Sequence, residues 1–321
     1  MKPDFAILIL GYKRPKLLEN LLRTCSKFDL PIFVSIDEAL PSDTTAKNYV
    51  QACKDVTLIY SELISELRVP DFHEGGFVGV VNAISWGFSK TDKLIIIEDD
   101  ILPSKNFIRF AMNNLVKFET NKKIGSIGGT NLVPKSYIKN SDHPFRLSAY
   151  PTSWGWATWN DRWDDFLEDL TRFPNSTEFP SDYRNIAKKK YWRSIFKNTA
   201  LNGHDIYDYR WVYSNWIRGR LAIIPNKNLV LNLGFNMEDA TFTKGENPWW
   251  LPSQTEIIDD SYVDLDVSFR DISADNWMDR YHFRNTSILQ INRKLSLNFP
   301  KLSKIYKKLK NNYLSNYPGS V

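Results

Sequence analysis

A run of apolar residues, Leu94 to Ile97, stops at three consecutive carboxylates, Glu98, Asp99 and Asp100. Continuous apolar runs of this length suit a parallel strand covered on both faces. In open α/β sheets ligands bind just beyond the carboxyl ends of such strands. Three like charges packed at a strand end are costly unless a cation or hydrogen-bond donors compensate them. A hard divalent ion such as Mn2+ or Mg2+ meets that need through oxygen ligands and commonly bridges carboxylates to phosphates. The alternative reading is a solvated acidic turn.

The same strand-then-helix rhythm precedes and follows this feature. Phe5 to Leu10 is apolar and is broken at Gly11; Pro15 then opens a helix with Leu17, Leu18, Leu21 and Leu22 at helical spacing. Pro31 to Ile36 predicts a second strand ending at Asp37, Thr44 to Lys54 a helix, and Val56 to Tyr60 a third short strand. Gly75 to Ser89 and Asn106 to Glu119 read as helices, and Lys93 to Ile97 and Ile124 to Gly129 as strands. Repeated βα units imply a mostly parallel sheet flanked by helices. Beyond about residue 140 the pattern changes. Tyr150 to Trp159 reads as an aromatic loop, Asp161 to Asp169, Tyr183 to Leu201 and Asp208 to Arg218 as helices, and Leu221 to Ile224 and Leu229 to Leu233 as strands.

Composition narrows the function classes. An apolar fraction of 42% supports a sizeable core in 321 residues. Net charge is +5, but the seven cations between Ile291 and Val321 meet no acid there and leave the rest of the chain at −2. A near-neutral body argues against a nucleic-acid binder. The basic tail, with Leu295, Leu297, Phe299, Leu302, Ile305, Tyr306 and Leu309 interleaved, predicts an amphipathic helix able to lie on an anionic membrane surface. Cys25 and Cys53 form no metal or disulfide framework. With no signal-peptide pattern and no long apolar stretch, the expected location is the cytoplasm, peripheral at the inner face of the membrane.

The stretch Ile95 to Ser104, with Glu98, Asp99 and Asp100 followed by Ile101, resembles the donor-site motif of GT-A fold glycosyltransferases. It is most similar to the N-acetylglucosaminyltransferase I-like group and bacterial polysaccharide glycosyltransferases. Phe5 to Arg14 resembles the first strand and nucleotide-binding turn of that fold, and Ser153 to Trp159 a tryptophan-rich motif of its bacterial members. The resemblance spans roughly residues 4 to 243. It implies an α/β, Rossmann-like GT-A domain over 1–242, divided into a nucleotide-sugar half (1–130) and an acceptor half (131–242). Residues 243–321 then form an irregular extension ending in the basic helix.

It further implies a metal-dependent, inverting transfer of a hexosyl or N-acetylhexosaminyl group from a UDP-sugar to a glycan or lipid-linked glycan. In this reading Asp100 is the metal ligand for Mn2+ or Mg2+. Tyr12, Arg14, Asp37, Asn82, Glu98 and Asp99 contact the donor, and Trp154, Trp156 and Trp159 the acceptor. Asp208 is the first candidate for the general base, with Asp205, Asp239 and Glu238 as competitors. One departure stands out: relatives often carry a histidine within the segment matching Ala240 to Thr243, where this chain has Phe242. Two other readings remain: a nucleotidyltransferase, disfavoured by the single glycine after the first strand, and a non-catalytic carbohydrate-binding protein using the tryptophans alone.

Overall fold

The computed structural model describes residues 3–173, 186–201, 207–235, 248–258, 270–283 and 285. Its centre is an eight-stranded sheet in the order β3-β2-β1-β4-β8-β6-β9-β7. Strands β1 (Phe5–Gly11), β2 (Ile32–Ile36), β3 (Glu66–Arg68) and β4 (Lys93–Glu98) are mutually parallel. Next to β4 the direction reverses at β8 (Trp156–Trp159), which is antiparallel to β4 and to β6 (Ile124–Gly128). Strand β9 (Leu221–Pro225) runs parallel to β6, and β7 (Phe145–Ser148) closes the edge antiparallel to β9. The α/β class with a mostly parallel sheet is as expected: six of the eight strands run one way, and β7 and β8 run against them. A small second sheet pairs β5 (Ile101–Pro103) with β10 (Val230–Asn232).

Period-two alternation sorts the strand side chains onto two faces. Ile95 and Ile97 of β4 join one core with Leu18, Val50 and Phe107, while Leu94 and Ile96 join the opposite core with Ile84, Phe88 and Trp163. Helices α1 (Pro15–Cys25), α2 (Thr44–Ile59) and α4 (Lys105–Lys117) cover the first face. Helices α3 (Gly75–Lys90), α5 (Asn160–Leu170) and α7 (Asp208–Ile217) cover the second. Helix α1 buries Leu18, Leu21, Leu22 and Cys25 at helical spacing behind Pro15, and Asp43 caps α2 by accepting from Ala46 N at 2.9 Å. Cys25 and Cys53 are both buried and unbridged, and burial pushes each thiol up to about 12.

Three segments depart from the sequence reading. Val56 to Ile59 continues α2, and the third strand comes later, at Glu66–Arg68. The apolar run there is too short for periodicity to tell strand from helix. The second half of the aromatic loop is strand β8: Gly155, at φ 62°, makes the turn into it, and its Cβ position lies 3.0 Å from Val230. Finally, parts of the expected C-terminal extension belong to the body. Helix α8 (Ile272–Trp277) puts Ala274 and Trp277 into a third core with Tyr150, Trp192 and Trp216. Asp275 accepts from Ser148 Oγ and from Ala149 N. The basic tail lies outside the described residues.

Candidate active site

Strands β1, β2 and β4 end at the same edge of the sheet, and the residues after them meet there. Asp99 N donates to Leu10 O at 2.9 Å, which ties the acidic turn to the end of β1. From the other side of that turn Arg14, 85 residues earlier in the chain, reaches back. Its Nη1 donates to Asp99 Oδ1 at 3.0 Å and to Asp100 Oδ2 at 2.7 Å. Tyr12 N donates to Asp99 Oδ2 at 3.3 Å. Arg14 is therefore no free surface cation; it is the counter-charge of the acidic turn. Even so, burial outweighs Arg14 and lifts the Asp99 carboxyl to about 6.

The three carboxylates do not share one role. Glu98 turns to the opposite side of the sheet, where Tyr207 Oη lies 3.5 Å from Oε1. Burial, followed by the charges of Asp100 and Asp208, holds Glu98 well above the usual carboxylate range. Asp100 packs under the return of β10. Leu233 N donates to Asp100 O at 2.7 Å, and a Cβ at Gly234 would lie 2.1 Å from Asp100 Oδ2. Only glycine allows the backbone this close to the carboxylate. Among the described residues no three acidic, histidine or cysteine side chains converge into a metal cage.

Asp208 is the first residue of α7, and Tyr207 rather than Asp208 is its N-cap. Asp208 is partly exposed. Burial raises its carboxyl to about 6, against hydrogen bonds with Ser153 and Tyr207. Among the described residues its Oδ1 is buried with no hydrogen-bond partner. Tyr207 stacks on Trp156 with centroids 6.2 Å apart. Asp205, Asp239, Glu238 and Phe242 lie outside the described residues.

Several expected contacts are placed differently. Asp37, expected on the nucleoside, accepts from Glu38 N and Glu74 N through Oδ1 and from Gly75 N through Oδ2, at 2.9 to 3.0 Å, with His73 Nδ1 2.9 Å from Oδ2. Two of these three donors lie at the start of α3, so Asp37 anchors that helix. Asn82 is exposed and donates to Glu74 Oε1 at 2.8 Å, which in turn pairs with Arg68. Tyr12 stays at the edge, half-buried, with its ring 5.5 Å from that of His73. Of the three tryptophans expected to hold acceptor, Trp156 is 1% and Trp159 2% exposed. Trp159 Nε1 donates to Leu115 O at 2.9 Å beneath α4, so neither ring is an open platform. Trp154 alone stays partly open, perpendicular to Phe235 at 5.6 Å, one residue beyond Gly234.

Tyr207 and His73 carry little signal in the sequence, whereas Ser153 opens the tryptophan-rich motif. Neither Tyr207 nor His73 sits in a periodic pattern, and the cue to Tyr207 is its position beside Asp208. Gly234 is visible only as part of a resemblance.

No family model matches the chain, and no curated protein matches it. Solved structures with a similar chain path include residues 1–349 of TarS from S. aureus, at 12% identity and a TM-score of 0.42, covering 72% of this chain and 61% of that one. GalNAc-T7, solved with UDP, GalNAc and Mn2+, is similar at 12% identity and a TM-score of 0.41 over 70% of this chain and 42% of that one. A mannose-1-phosphate geranyltransferase from Thermus thermophilus is similar at 10% identity and a TM-score of 0.36 over 70% and 74%. The chain thus spans about three fifths of the first of these and two fifths of the second.

Proposed function

We propose that this chain is a glycosyltransferase that moves a hexosyl or N-acetylhexosaminyl group from a nucleotide-sugar, UDP-linked by the resemblance, to a hydroxyl of a glycan or lipid-linked glycan. The observation that carries the reading is the pairing of two unlike acid environments at one sheet edge. Asp99 and Asp100 bracket Arg14, while Asp208 stands apart with a raised pKa and an unpartnered oxygen.

Sugar transfer sets two demands. The leaving diphosphate develops negative charge, and the acceptor hydroxyl must lose a proton. Arg14 answers the first with a fixed guanidinium. Asp100 offers hard oxygen ligands suited to a divalent cation, and Gly234 gives it a cradle that a Cβ would fill. Asp100 would hold Mn2+ or Mg2+, which supplies further charge neutralisation on the diphosphate. Asp208 answers the second demand. With a pKa of about 6 it is ionised at neutral pH yet basic enough to take a proton. The acceptor oxygen bonds to the anomeric carbon, the bond to the diphosphate oxygen breaks, and the hydroxyl proton passes to Asp208. Attack opposite the leaving group inverts the anomeric centre. Trp156 and Glu98 hold Tyr207 beside this acid. Trp154 flanks the entry from the acceptor side.

Among the described residues no helix is long and apolar enough to cross a membrane. A lipid-linked acceptor would instead be reached through the basic tail lying on an anionic leaflet, which flotation with anionic and neutral vesicles tests.

The decisive measurement is calorimetric titration of UDP with and without Mn2+, on the parent chain and on Asp100→Ala, followed by a screen of nucleotide-sugars for slow hydrolysis. Mn2+-dependent UDP binding that disappears in Asp100→Ala, with release of UDP and free sugar, is the expected result. Equal binding by both chains would sink the assignment, and release of pyrophosphate instead of UDP would point to a nucleotidyltransferase.

A further inference from the structure

Strands β6 and β9 run parallel to β4, so their carboxyl ends lie at the same edge of the sheet as Asp100. Beyond them opens a groove of about 600 Å3 that none of the residues above enters. Its floor is Asn131, Asn226 and Asn228, which follow β6 and β9. Its wall is the segment from Trp249 to Glu256.

The groove is built rather than incidental. Asn131 Nδ2 donates to Asn226 O at 2.9 Å and Asn131 N to Asn228 Oδ1 at 3.1 Å. Arg146 clamps the floor from beneath, donating to Asn226 Oδ1 and Asn131 Oδ1 at 3.0 Å each. Burial lowers its pKa to about 10, with the charges of Asp275 and Asp271 opposing that shift. The wall is fastened by Glu256 N donating to Asn228 O at 2.7 Å. A floor already satisfied by its own hydrogen bonds loses little freedom when a ligand settles on it.

Its chemistry differs from that of the acidic turn. The charged residues lining it are Lys135, Lys227, Asp142 and Glu256, which sum to zero, and Lys135 pairs with Asp142 at 2.9 Å. Such a lining offers little to a phosphate. Trp249 stands out: 70% exposed, whereas Trp156, Trp159, Trp163, Trp192, Trp211, Trp216 and Trp277 are all buried. Trp277 and Tyr281 meet it nearly at right angles, at 5.9 and 5.7 Å, and fix the ring while most of it stays in solvent. A fixed, solvent-facing indole in the lining of a neutral groove suits the apolar face of a sugar ring.

We propose that this groove is a binding site for a neutral oligosaccharide, with Trp249 as the stacking platform. The segment from Asn228 to Gly234 links its floor to Asp100. At strand rise that path is about 20 Å, comparable to the length of a glycan of a few residues. Naming the occupant as the acceptor glycan rests on the transferase reading; saccharide binding itself does not.

The test probes the full chain, Trp249→Ala and Trp249→Phe on an array of neutral and acidic oligosaccharides, with a parallel UDP and Mn2+ titration. The expected result is binding of neutral glycans by the parent, at least tenfold weaker in Trp249→Ala and largely kept in Trp249→Phe, with UDP affinity unchanged within twofold. An array with no neutral glycan bound, binding confined to acidic glycans, or full binding by Trp249→Ala would each overturn the proposal. Glycan binding without UDP binding would uphold the groove and overturn the transferase reading instead.

Discussion

The two ends of one sheet edge handle polarity in opposite ways. Where β1 and β4 end, ionised groups are packed together: Arg14 sits between Asp99 and Asp100, and burial holds Glu98, Asp99 and Asp208 above their ordinary pKa values. Where β6 and β9 end, charge is balanced and amides are saturated, leaving one exposed indole. The first end is energetically strained and suited to handling charge; the second is satisfied and suited to recognising shape. A transferase that separates a diphosphate from a sugar needs both, adjoining but distinct.

The sharpest way to break this contrast is Asp208→Asn. A general base contributes roughly 100- to 10,000-fold to rate, so turnover should fall by that much with UDP binding retained. The same substitution should stabilise the fold. The Asp208 pKa rises from 3.8 to about 6 on folding, so the folded chain binds more protons than the unfolded one between those values. Stability from this group is therefore fullest below 3.8 and is lost as pH rises through about 6. Removing the ionisation should recover up to about 3 kcal/mol at about pH 7.5 and nothing near about pH 4, as read by denaturant unfolding. A rate loss without that pH-dependent gain would mark Asp208 as a structural group.

Trp159→Ala comes next. A buried tryptophan with a bonded indole nitrogen should cost about 3 to 5 kcal/mol of stability. A raised KM for acceptor with unchanged stability would restore Trp159 as a platform and blur the two ends. Gly234→Ala then probes the charged end alone. The new methyl collides with Asp100, and Mn2+-dependent UDP binding should weaken by about 10- to 100-fold without loss of helix content by circular dichroism. The smallest effect is expected of Asn82→Ala. It removes one exposed hydrogen bond to Glu74, so stability should move by no more than about 0.5 kcal/mol and UDP affinity by less than about twofold. A larger loss of UDP affinity would return Asn82 to the donor site.

Legibility in the sequence followed the range of the interaction. The buried strands β1, β2 and β4 and the helix after Pro15 are readable because their patterns are local. Glu98, Asp99 and Asp100 stand out because a polar run ends an apolar one. Asp37 also stands out, but its bonding to the start of α3 does not, because two of its donors lie at residues 74 and 75, beyond any local motif. The tryptophan motif misleads for a related reason. Its composition suggests exposure, yet pairing between β4 and β6 turns Trp156 and Trp159 onto opposite cores. The surface tryptophan, Trp249, sits in a stretch expected to be an irregular extension.

The sequence by itself determined which segments are apolar on one face or two, and hence an α/β sheet with an acidic turn at a strand end. Hydrophobic periodicity and capping act over a few residues, so they survive translation into structure with little change. Only the tertiary structure decided that Arg14 is the cation between Asp99 and Asp100, and that Asp208 lies partly buried next to Glu98 and Tyr207. It also decided that a neutral groove continues the same edge. Those outcomes depend on contacts between residues tens to more than a hundred positions apart, where burial and neighbouring charge, not residue type, set what each side chain can do.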